Sequence, residues 1–581
     1  MKKKPSNKAI VRTRILVLLG VMGFVFGVVL IRLVTLQGLE SPRWGRQAAR
    51  EHERILDTKG ERGKIYDRSG QPLAMNVQVP SIFAVPSLMQ DPESTARRLA
   101  ALLGEKSGPL VRRFQEGKDF VWVQRKVDPA RISSIEPVRS QGIGIVLESQ
   151  RIYPKHLLLG QTLGFADIDN RGIEGIELEY DPVLQGEERT LTFERDARGK
   201  VVFPKGLVYD GAARGKDLYL TIDEVIQYVS ERELDRAMEA TRAESGTVIV
   251  MDPRTAEILA LAVRPQFNPN ARDPSRPEQW RNRAVTDIYE PGSTFKIVTA
   301  SAALQEGVVF PEEEIFCENG SMPMAGRPLH DHKPSGWLSF EEVIAHSSNI
   351  GTAKVAMRLG ASRLERYISK FGFGEKSGVD LPGEIPGMIP PISRRSDRSL
   401  AMHAIGQGVG VTPLQMVTAM AAIANGGYLM TPHVTMAIRS DEGRTLKSYA
   451  PHIRRRVISP ETSRKMIGIL EKVVSREGTG ERAAIRGYRV AGKTGTAQKV
   501  DPLTGRYSRD RFVSSFVGFA PADSPRVVIL VVIDEPKGVN WGGSVAAPVF
   551  KAIGEEALHH LGVPPVENPE MVLANARFTQ E

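Results

Sequence analysis

Cysteine is nearly absent, since Cys317 is the single one in 581 residues. An intrachain disulfide needs two cysteines, so none can form, and a thiol-rich metal site is excluded for the same reason. A lone cysteine can serve as a nucleophile, but the residues around Cys317 are rich in glutamate and glycine and carry no catalytic pattern. We therefore expect Cys317 to be a free thiol near a surface loop.

Low-complexity tracts are also missing, and beyond the N-terminus charges of the two signs are interspersed. Hydrophobic residues make up 41% of the chain and charged residues 25%, which is typical of folded protein. The formal net charge of +10 is modest for this length and does not predict a nucleic-acid-binding surface. The chain is too long for one ordinary domain, and we expect about two to four.

Acidic residues are absent from residues 1–14, which instead contain a cluster of lysines and arginines. Residues 15–31 follow as an uncharged apolar run, which continues past Arg32 to Leu36. A helix of about 20 residues spans a bilayer, and Arg32 can snorkel to the far interface. A cleaved signal peptide is the alternative, but it would be shorter and would end in a small-x-small site. We expect an uncleaved anchor over residues 15–36, a cytoplasmic tail over residues 1–14, and the remainder outside the membrane.

Residues 37–210 are weakly patterned and contain no cluster of titratable residues that predicts a site. We expect a helical stalk over residues 41–54 and a turn at residues 67–70 between two short strands. The acids of residues 172–181 are interpreted as the solvated face of a helix. The other elements predicted in this region are a helix over residues 93–103 and a strand over residues 144–147.

Residues 211–562 show strands at both ends with helices between them. This order predicts one α+β domain whose N-terminal and C-terminal strands share a sheet. Residues 563–581 are expected to be a loose tail. The elements predicted here are strands over residues 247–251, 258–263, 511–519 and 527–533, and helices over residues 224–241 and 546–561, with further helices starting at Ser293 and Pro413.

A serine and a lysine with catalytic spacing lie at the start of one of these helices. Ser293 has Lys296 three residues later, on the same helix face. A serine hydroxyl needs a base within hydrogen-bond reach, and a buried lysine at a helix N-terminus is favoured in its neutral, basic form. No other serine has a lysine at this spacing. The apolar residues after Lys296 make a solvated lysine unexpected there.

Two further short motifs follow in order along the chain. Ser347 and Asn349, in a Ser-Ser-Asn triplet before a helix, supply a hydroxyl and an amide that can relay a proton and orient a substrate. Residues 493–496, Lys-Thr-Gly-Thr, lie in a strand pattern, where the glycine would let a substrate backbone approach. Lys-Ser-Gly also occurs at Lys106 and Lys376, but Lys106 precedes the serine and Lys376 lies in a turn-rich loop.

The ordered set Ser-x-x-Lys, Ser-x-Asn and Lys-Thr-Gly resembles the signature of penicillin-binding proteins and serine β-lactamases. Residues 289–296, 406–415 and 542–550 are similar to the transpeptidase domain of class B penicillin-binding proteins. Residues 62–74, 151–154 and 172–181 resemble the non-catalytic pedestal of that class. The likeness extends from the anchor to about residue 560, and the triplet at Ser347 is closest to division-type members.

This resemblance implies an α+β fold with a β-lactamase-like C-terminal domain, a mixed α/β pedestal and one transmembrane helix. It also implies a serine D,D-transpeptidase that cross-links peptidoglycan stem peptides, binds β-lactams and needs no cofactor or metal. The implied roles are Ser293 as nucleophile, Lys296 as base, Ser347 as proton relay and Asn349 as substrate ligand. Lys493, Thr494 and Gly495 with Thr496 would bind the substrate, and the backbone N–H groups of Ser293 and Thr496 would form the oxyanion hole.

Several alternatives remain open from the sequence. The same serine machinery serves D,D-carboxypeptidases and β-lactamases, although those enzymes need neither pedestal nor uncleaved anchor. A non-catalytic β-lactam sensor would be expected to carry a further transmembrane and signalling module, and a scaffold would not need all three motifs intact. An elongation-type transpeptidase is the alternative to a septal one.

The resemblance further implies a location in the inner membrane, with a multipass glycan polymerase and other division proteins as partners.

Overall fold

The chain folds into two compact units, each built from separate stretches of sequence. The smaller consists of Met1–Gly60, Val79–Glu148 and Glu187–Ala212, and the larger of Glu61–Gln78, Ser149–Gly186 and Ala213–Glu581. The structure, a computed structural model, describes residues 7–39, 54–117, 120–135, 142–186, 188–195, 201–202, 214–271, 276–393, 396–501 and 504–565. The predicted stalk lies outside these residues, except that Arg54 begins a strand.

The N-terminal apolar run forms a single long helix, Asn7–Val34, which continues as a π-helical turn, Thr35–Leu39. Its large apolar side chains are exposed, including Leu18 and Phe24. Residues Val11–Gly38 are long and apolar enough to cross a membrane, judged by length and composition. The helix therefore has the dimensions that the anchor prediction requires.

The smaller unit buries a compact core between helices and strands. Helices Pro92–Leu103 and Ser107–Glu116 are amphipathic, and they pack Leu99 and Phe114 against Ile82. The first helix begins at Asp91, whose side chain accepts a hydrogen bond from Ser94 N–H. The strands of this unit pair antiparallel: the end of Pro72–Ala84 with Val121–Gln124, Arg54–Lys59 with Glu188–Arg195, and Glu188–Arg195 with Val201–Val202.

The larger unit contains a five-stranded antiparallel sheet that joins distant parts of the chain. Its strand order is Ile258–Arg264, Ser245–Met251, Val527–Asp534, Tyr507–Ala520 and Ala491–Val500. The first two strands come from the N-terminal part of residues 211–562 and the other three from the C-terminal part, as the sequence predicts. Ala491–Val500, which carries the Lys-Thr-Gly-Thr motif, is an edge strand of this sheet.

Successive side chains of the sheet point to opposite faces, and helices cover both. On one face Val248 and Phe516 pack with Phe550 of the C-terminal helix Gly542–His560. On the other face Ile249 and Val417 belong to a second core. The remaining helices of the larger unit are Gly160–Leu163, Gly175–Glu179, Asp181–Leu184, Glu224–Thr241, Arg283–Thr286, Lys296–Gln305, Phe340–Ala345, Asn349–Leu359, Ala361–Lys370, Asp397–Ala404, Pro413–Ala424 and Pro460–Val474.

Short strands complete the larger unit. The predicted turn at residues 67–70 is confirmed, because Asp67 Oδ1 accepts hydrogen bonds from Ser69 N–H and Gln71 N–H. The C-terminal helix starts at Gly542, earlier than the predicted residue 546. The short strands are Ile65–Tyr66, the start of Pro72–Ala84, Phe165–Ala166, Gly172–Glu174, Asp217–Leu220, Glu314–Phe316, Ser321–Met322, Leu329–His330, Trp337–Ser339, Tyr428–Met430, Thr435–Arg439, Thr445–Ser448 and Ile453–Arg456.

One acid of residues 172–181 is not on a solvated face, so that interpretation is wrong for Glu177. Glu177 is 0% exposed. Its carboxylate accepts hydrogen bonds from Arg62 Nε at 2.6 Å and Arg151 Nε at 2.7 Å. Burial alone would raise the pKa of Glu177, but the charges of Arg151 and Arg62 outweigh it and hold that pKa below its usual value. Glu177 therefore fixes two buried cations.

We expect Glu177→Gln to destabilise the larger unit by about 3–5 kcal/mol, because breaking a buried ion pair leaves an uncompensated charge. The measurement is the thermal unfolding midpoint of the full chain in detergent, which should fall by several degrees. Glu179→Gln is the matched control, since Glu179 lies on the same short helix and is exposed. Equal midpoints for the two variants would contradict a structural role for the buried carboxylate.

Candidate active site

The predicted nucleophile lies on a tight turn that is held against the edge strand. Ser293 is in the 3₁₀ turn Gly292–Phe295, which leads into the helix Lys296–Gln305. Gly292 has φ +53, and a Cβ there would lie 3.2 Å from Thr496 O. Within residues 291–300, all of which the structure describes, Ser293 alone is partly exposed and the others are buried. The fold thus presents one hydroxyl from an otherwise buried segment.

Lys296 is 0% exposed and directs its amine to the Ser-Ser-Asn triplet. Its Nζ donates to Ser347 O at 2.6 Å and to Asn349 Oδ1 at 2.8 Å, and it lies 3.3 Å from Ser347 Oγ. Burial lowers the pKa of Lys296 to about 7, although the negative charge of Asp331 opposes that shift. An amine with this pKa is neutral in a large fraction of molecules near neutral pH, as a base must be.

The Ser-Ser-Asn triplet forms a strained turn before the helix Asn349–Leu359. Ser347 has φ 61, in the left-handed region that non-glycine residues rarely adopt. Ser348 is the N-cap, and its Oγ accepts a hydrogen bond from Gly351 N–H. Such strain persists only where surrounding contacts fix it, and it is common at functional sites.

Lys493 approaches the same hydroxyl from the edge strand. Its Nζ donates to Ser347 Oγ at 2.9 Å and to Thr494 O at 3.2 Å. Lys493 is 0% exposed, and burial together with the nearby charge of Lys296 lowers its pKa well below the usual value. Ser347 Oγ therefore lies between two lysine amines. The hydroxyl is thus placed to exchange a proton with either amine.

The two threonine hydroxyls of the motif strand have neighbours of their own. Gly542 N–H donates to Thr496 Oγ1 at 3.1 Å, which leaves the Thr496 proton available to a further acceptor. Thr494 Oγ1 lies 2.8 Å from Thr479 Oγ1. Thr479 N–H in turn donates to Ala345 O at 3.3 Å, two residues before Ser347. Thr479, which sequence reasoning missed, links the strand to the segment that leads into the triplet.

Gly495 also meets an internal packing constraint. A Cβ at Gly495 would lie 2.4 Å from Ser515 Oγ, 2.9 Å from Thr294 Cγ2 and 3.0 Å from Pro291 O. The absent side chain therefore makes room for the serine turn and the neighbouring strand. Its predicted part in substrate approach stays a prediction beside this internal constraint.

The prediction for Cys317 is wrong in one respect, because the thiol is buried rather than near the surface. Cys317 is 0% exposed, and its Sγ lies 3.4 Å from Ser348 Oγ. Burial raises the pKa of the Cys317 thiol, which disfavours the reactive thiolate. Cys317 thus packs beneath the triplet as a small apolar side chain.

Asp331 is a second residue that the sequence did not reveal. Its carboxylate accepts hydrogen bonds from Ser348 Oγ at 2.6 Å and Asn349 N–H at 2.5 Å. No spacing rule connects Asp331 to the triplet, so a single sequence gives no signal for it.

The other two Lys-Ser-Gly triplets lie away from this site. Lys106 occupies the N-cap position of the helix Ser107–Glu116 in the smaller unit, and Lys376 precedes Ser377, which donates to Glu384.

Comparison with known proteins agrees with this geometry. Residues 246–555 match the family described as the penicillin-binding protein transpeptidase domain, and residues 57–220 match the penicillin-binding protein dimerisation domain. Stage V sporulation protein D of Bacillus subtilis is 38% identical over 566 residues, which cover 96% of this chain and 87% of that protein. Peptidoglycan D,D-transpeptidase FtsI of Escherichia coli is 33% identical over 573 residues, covering 97% and 94%.

Solved structures show the same similarity. Penicillin-binding protein 3 of Mycobacterium tuberculosis in complex with ampicillin has a TM-score of 0.69 and 29% identity, covering 88% of this chain and 98% of that one. A peptidoglycan synthetase from Bifidobacterium adolescentis has a TM-score of 0.70 and 26% identity, covering 89% and 98%. The sequence matches, the fold and the convergence of the three motifs agree, and the chain belongs to the penicillin-binding protein transpeptidase family.

Proposed function

We propose that the protein is a serine D,D-transpeptidase that cross-links peptidoglycan stem peptides and is acylated by β-lactams. The observation that carries the proposal is the meeting of Lys296 and Lys493 on Ser347 Oγ, beside the turn that presents Ser293. E. coli FtsI, a relative along nearly the whole chain, is named for the same activity. The substrate is a peptide ending in D-Ala–D-Ala, and the product is a new amide bond between two stems.

In the proposed acylation, Ser293 Oγ attacks the carbonyl carbon of the penultimate D-alanine. Lys296 accepts the Ser293 proton, and the backbone N–H groups of Ser293 and Thr496 stabilise the oxyanion. Each such donor is typically worth about 10²–10³ in rate. Ser347 passes its proton to the leaving nitrogen and takes one back from protonated Lys296, so that the terminal D-alanine departs as a neutral amine and Lys296 is again a base. An amine from a neighbouring stem then attacks the ester and gives its proton to Lys296, which passes it to the departing Ser293 oxygen and so restores the free hydroxyl.

Substrate binding is assigned to the edge strand and the triplet. Among the strands that the structure describes, Ala491–Val500 is at the edge of its sheet, where an extended peptide can add as a further strand. Lys493, Thr494 and Thr496 would bind the terminal carboxylate, for which Thr496 still has its proton available. Asn349 would hold the substrate amide. Gly495 contributes by letting the strand lie close to the serine turn.

Location and partners are part of the proposal. The apolar helix and the basic residues before it support a single-pass inner-membrane anchor with a cytoplasmic tail. A membrane-impermeant thiol reagent tests that topology in intact spheroplasts. Labelling of Lys3→Cys but not of Ser369→Cys would contradict it.

The proposed domain layout is an anchor over residues 15–36, a pedestal over 37–210, a transpeptidase domain over 211–562 and a tail over 563–581. A multipass glycan polymerase and division proteins are the proposed partners.

A septal role is proposed from the likeness of the triplet and layout to division-type members. Depletion of the protein should give filamentous cells, because septal cross-linking would stop while the side wall still grows. Round cells would indicate the elongation role instead. Normal division with a defect confined to spores would instead indicate a sporulation role, for which its relative Stage V sporulation protein D is named.

We expect Ser293→Ala to abolish covalent labelling by benzylpenicillin while leaving the thermal midpoint unchanged, because the hydroxyl is the acylated atom and is not part of the core. Intact mass followed by peptide mapping detects the adduct. Ser369→Ala, at an exposed helical serine, is the control and should label fully. An adduct retained in Ser293→Ala would overturn the nucleophile assignment. Rapid loss of the wild-type adduct to water would indicate a hydrolase.

We expect the second-order rate of acylation to rise with pH and to level off above about 7, since the protonated amine of Lys296 cannot accept a proton. Lys296→Met should slow acylation by at least about 10²-fold, the usual contribution of a general base. Lys465→Met, at a half-buried helical lysine that pairs with Glu461, is the control. A near-wild-type rate in Lys296→Met would mean that another base acts.

A further inference from the structure

We infer that Asp331 is a positioning residue for acylation, which fixes the Ser347–Asn349 turn and supplies the negative charge that faces Lys296. The inference rests on the proposed serine mechanism and adds to it a residue outside the three motifs. Asp331 follows the short strand Leu329–His330 and is distant in sequence from each of the motifs. Its role is to hold the groups that touch the substrate.

The hydrogen bonds of Asp331 organise the first turn of the helix Asn349–Leu359. Oδ1 accepts from Asn349 N–H at 2.5 Å and from Ile350 N–H at 2.9 Å, and Oδ2 accepts from Ser348 Oγ at 2.6 Å. The first N–H groups of a helix have no partner within it, and a carboxylate there also interacts favourably with the helix dipole. Because Ser348 donates to Asp331 and accepts from Gly351, one carboxylate holds the whole turn.

The residue before Asp331 sets the orientation of the Asn349 side chain. Asn349 Nδ2 donates to His330 O at 2.9 Å, so its Oδ1 is turned to accept from Lys296 Nζ. The amide cannot reverse without losing both bonds. Residues 330–331 therefore decide which end of the Asn349 amide faces the base, and the second Nδ2 proton is left for substrate.

The strain at Ser347 makes this anchoring necessary. A left-handed backbone is unfavourable for a non-glycine residue, so a turn without external bonds would relax. The bonds to Asp331 begin at the next residue, Ser348. Relaxation would move both Ser347 O and Ser347 Oγ, the two atoms that accept from Lys296. Loss of Asp331 is therefore transmitted to the base without contact between Asp331 and the substrate.

The charge of Asp331 acts in addition to its hydrogen bonds. Among the residues that the structure describes, the titratable groups that act on Lys296 are Asp331, Cys317 and Lys493. Lys354 acts on Cys317 from the triplet's helix and is paired with Glu318. Burial lowers the pKa of Lys296, and Asp331 counteracts that effect. Removing the charge would lower the pKa further and make the amine a weaker base.

The test is the rate of acylation by a fluorescent penicillin, measured across pH in the full chain with Asp331→Asn. The substitution keeps the shape of the side chain but removes its charge and replaces one acceptor oxygen by a donor. We expect acylation on the plateau to slow by up to about 10²-fold, the loss that misplaced groups can cause. The acid limb of the pH profile should shift to lower pH than in the wild type, because the Lys296 pKa falls.

Asp397→Asn is the matched control, because Asp397 lies in the first turn of another helix of the same unit and is exposed. It should leave both rate and limb unchanged. A slower Asp331→Asn with an unmoved limb and a lower thermal midpoint would reduce Asp331 to a structural helix cap and overturn the inference. A wild-type rate and limb in Asp331→Asn would overturn it as well.

Failure of the underlying mechanism gives a different result. If the wild-type profile has no limb near pH 7 or Lys296→Met reacts normally, then Lys296 is not the base and the proposed function is at fault. Asp331→Glu separates charge from placement when the limb does move, because it keeps the charge and lengthens the side chain. We expect a limb close to that of the wild type in Asp331→Glu, together with a reduced plateau.

Discussion

Two lysine amines buried side by side on one serine hydroxyl are the constraint on which the rest of the active site depends. Water is excluded from Lys296 and Lys493, so a charge on either is costly and a charge on both is more so. The fold meets that constraint with fixed acceptors on the triplet and the motif strand rather than with solvent. Ser347 Oγ lies within hydrogen-bond distance of both amines, so a proton can pass between them through this one hydroxyl.

The fold brings these groups together by closing a sheet from the two ends of the larger unit. The edge position of Ala491–Val500 puts Lys493 beside the serine turn Gly292–Phe295 and within hydrogen-bond distance of Ser347. Close approach is possible because glycines replace side chains where the segments meet. A Cβ at Gly406 would lie 2.2 Å from Gly292 O, and one at Gly542 would lie 2.3 Å from Gly495 O. Backbone contacts at these glycines thus leave no room for a larger side chain.

Much of this could be predicted from sequence, because catalytic motifs are local. Ser293 and Lys296 share one helical turn, and the strand pattern around Lys493 is equally local, so spacing, order along the chain and the family resemblance together predicted them. Asp331 and the burial of Glu177 could not be found in this way, since each depends on partners far along the chain. An acid in a charged, glycine-containing segment is solvated in most proteins. Only the approach of Arg62 and Arg151 makes Glu177 an exception.

Burial of Lys296 also has a consequence for stability that follows from the same physics. Its pKa is lowered to about 7 in the folded chain, while the unfolded chain keeps the ordinary value near 10.5. Between those two values the unfolded state binds more protons, so the contribution of Lys296 to stability becomes less unfavourable as pH rises. Below the folded pKa the penalty is fully present. The extensive cores on both faces of the sheet offset it, and Asp331 reduces it by opposing the shift. The residue that positions the triplet therefore also limits the cost of keeping a base in the protein interior.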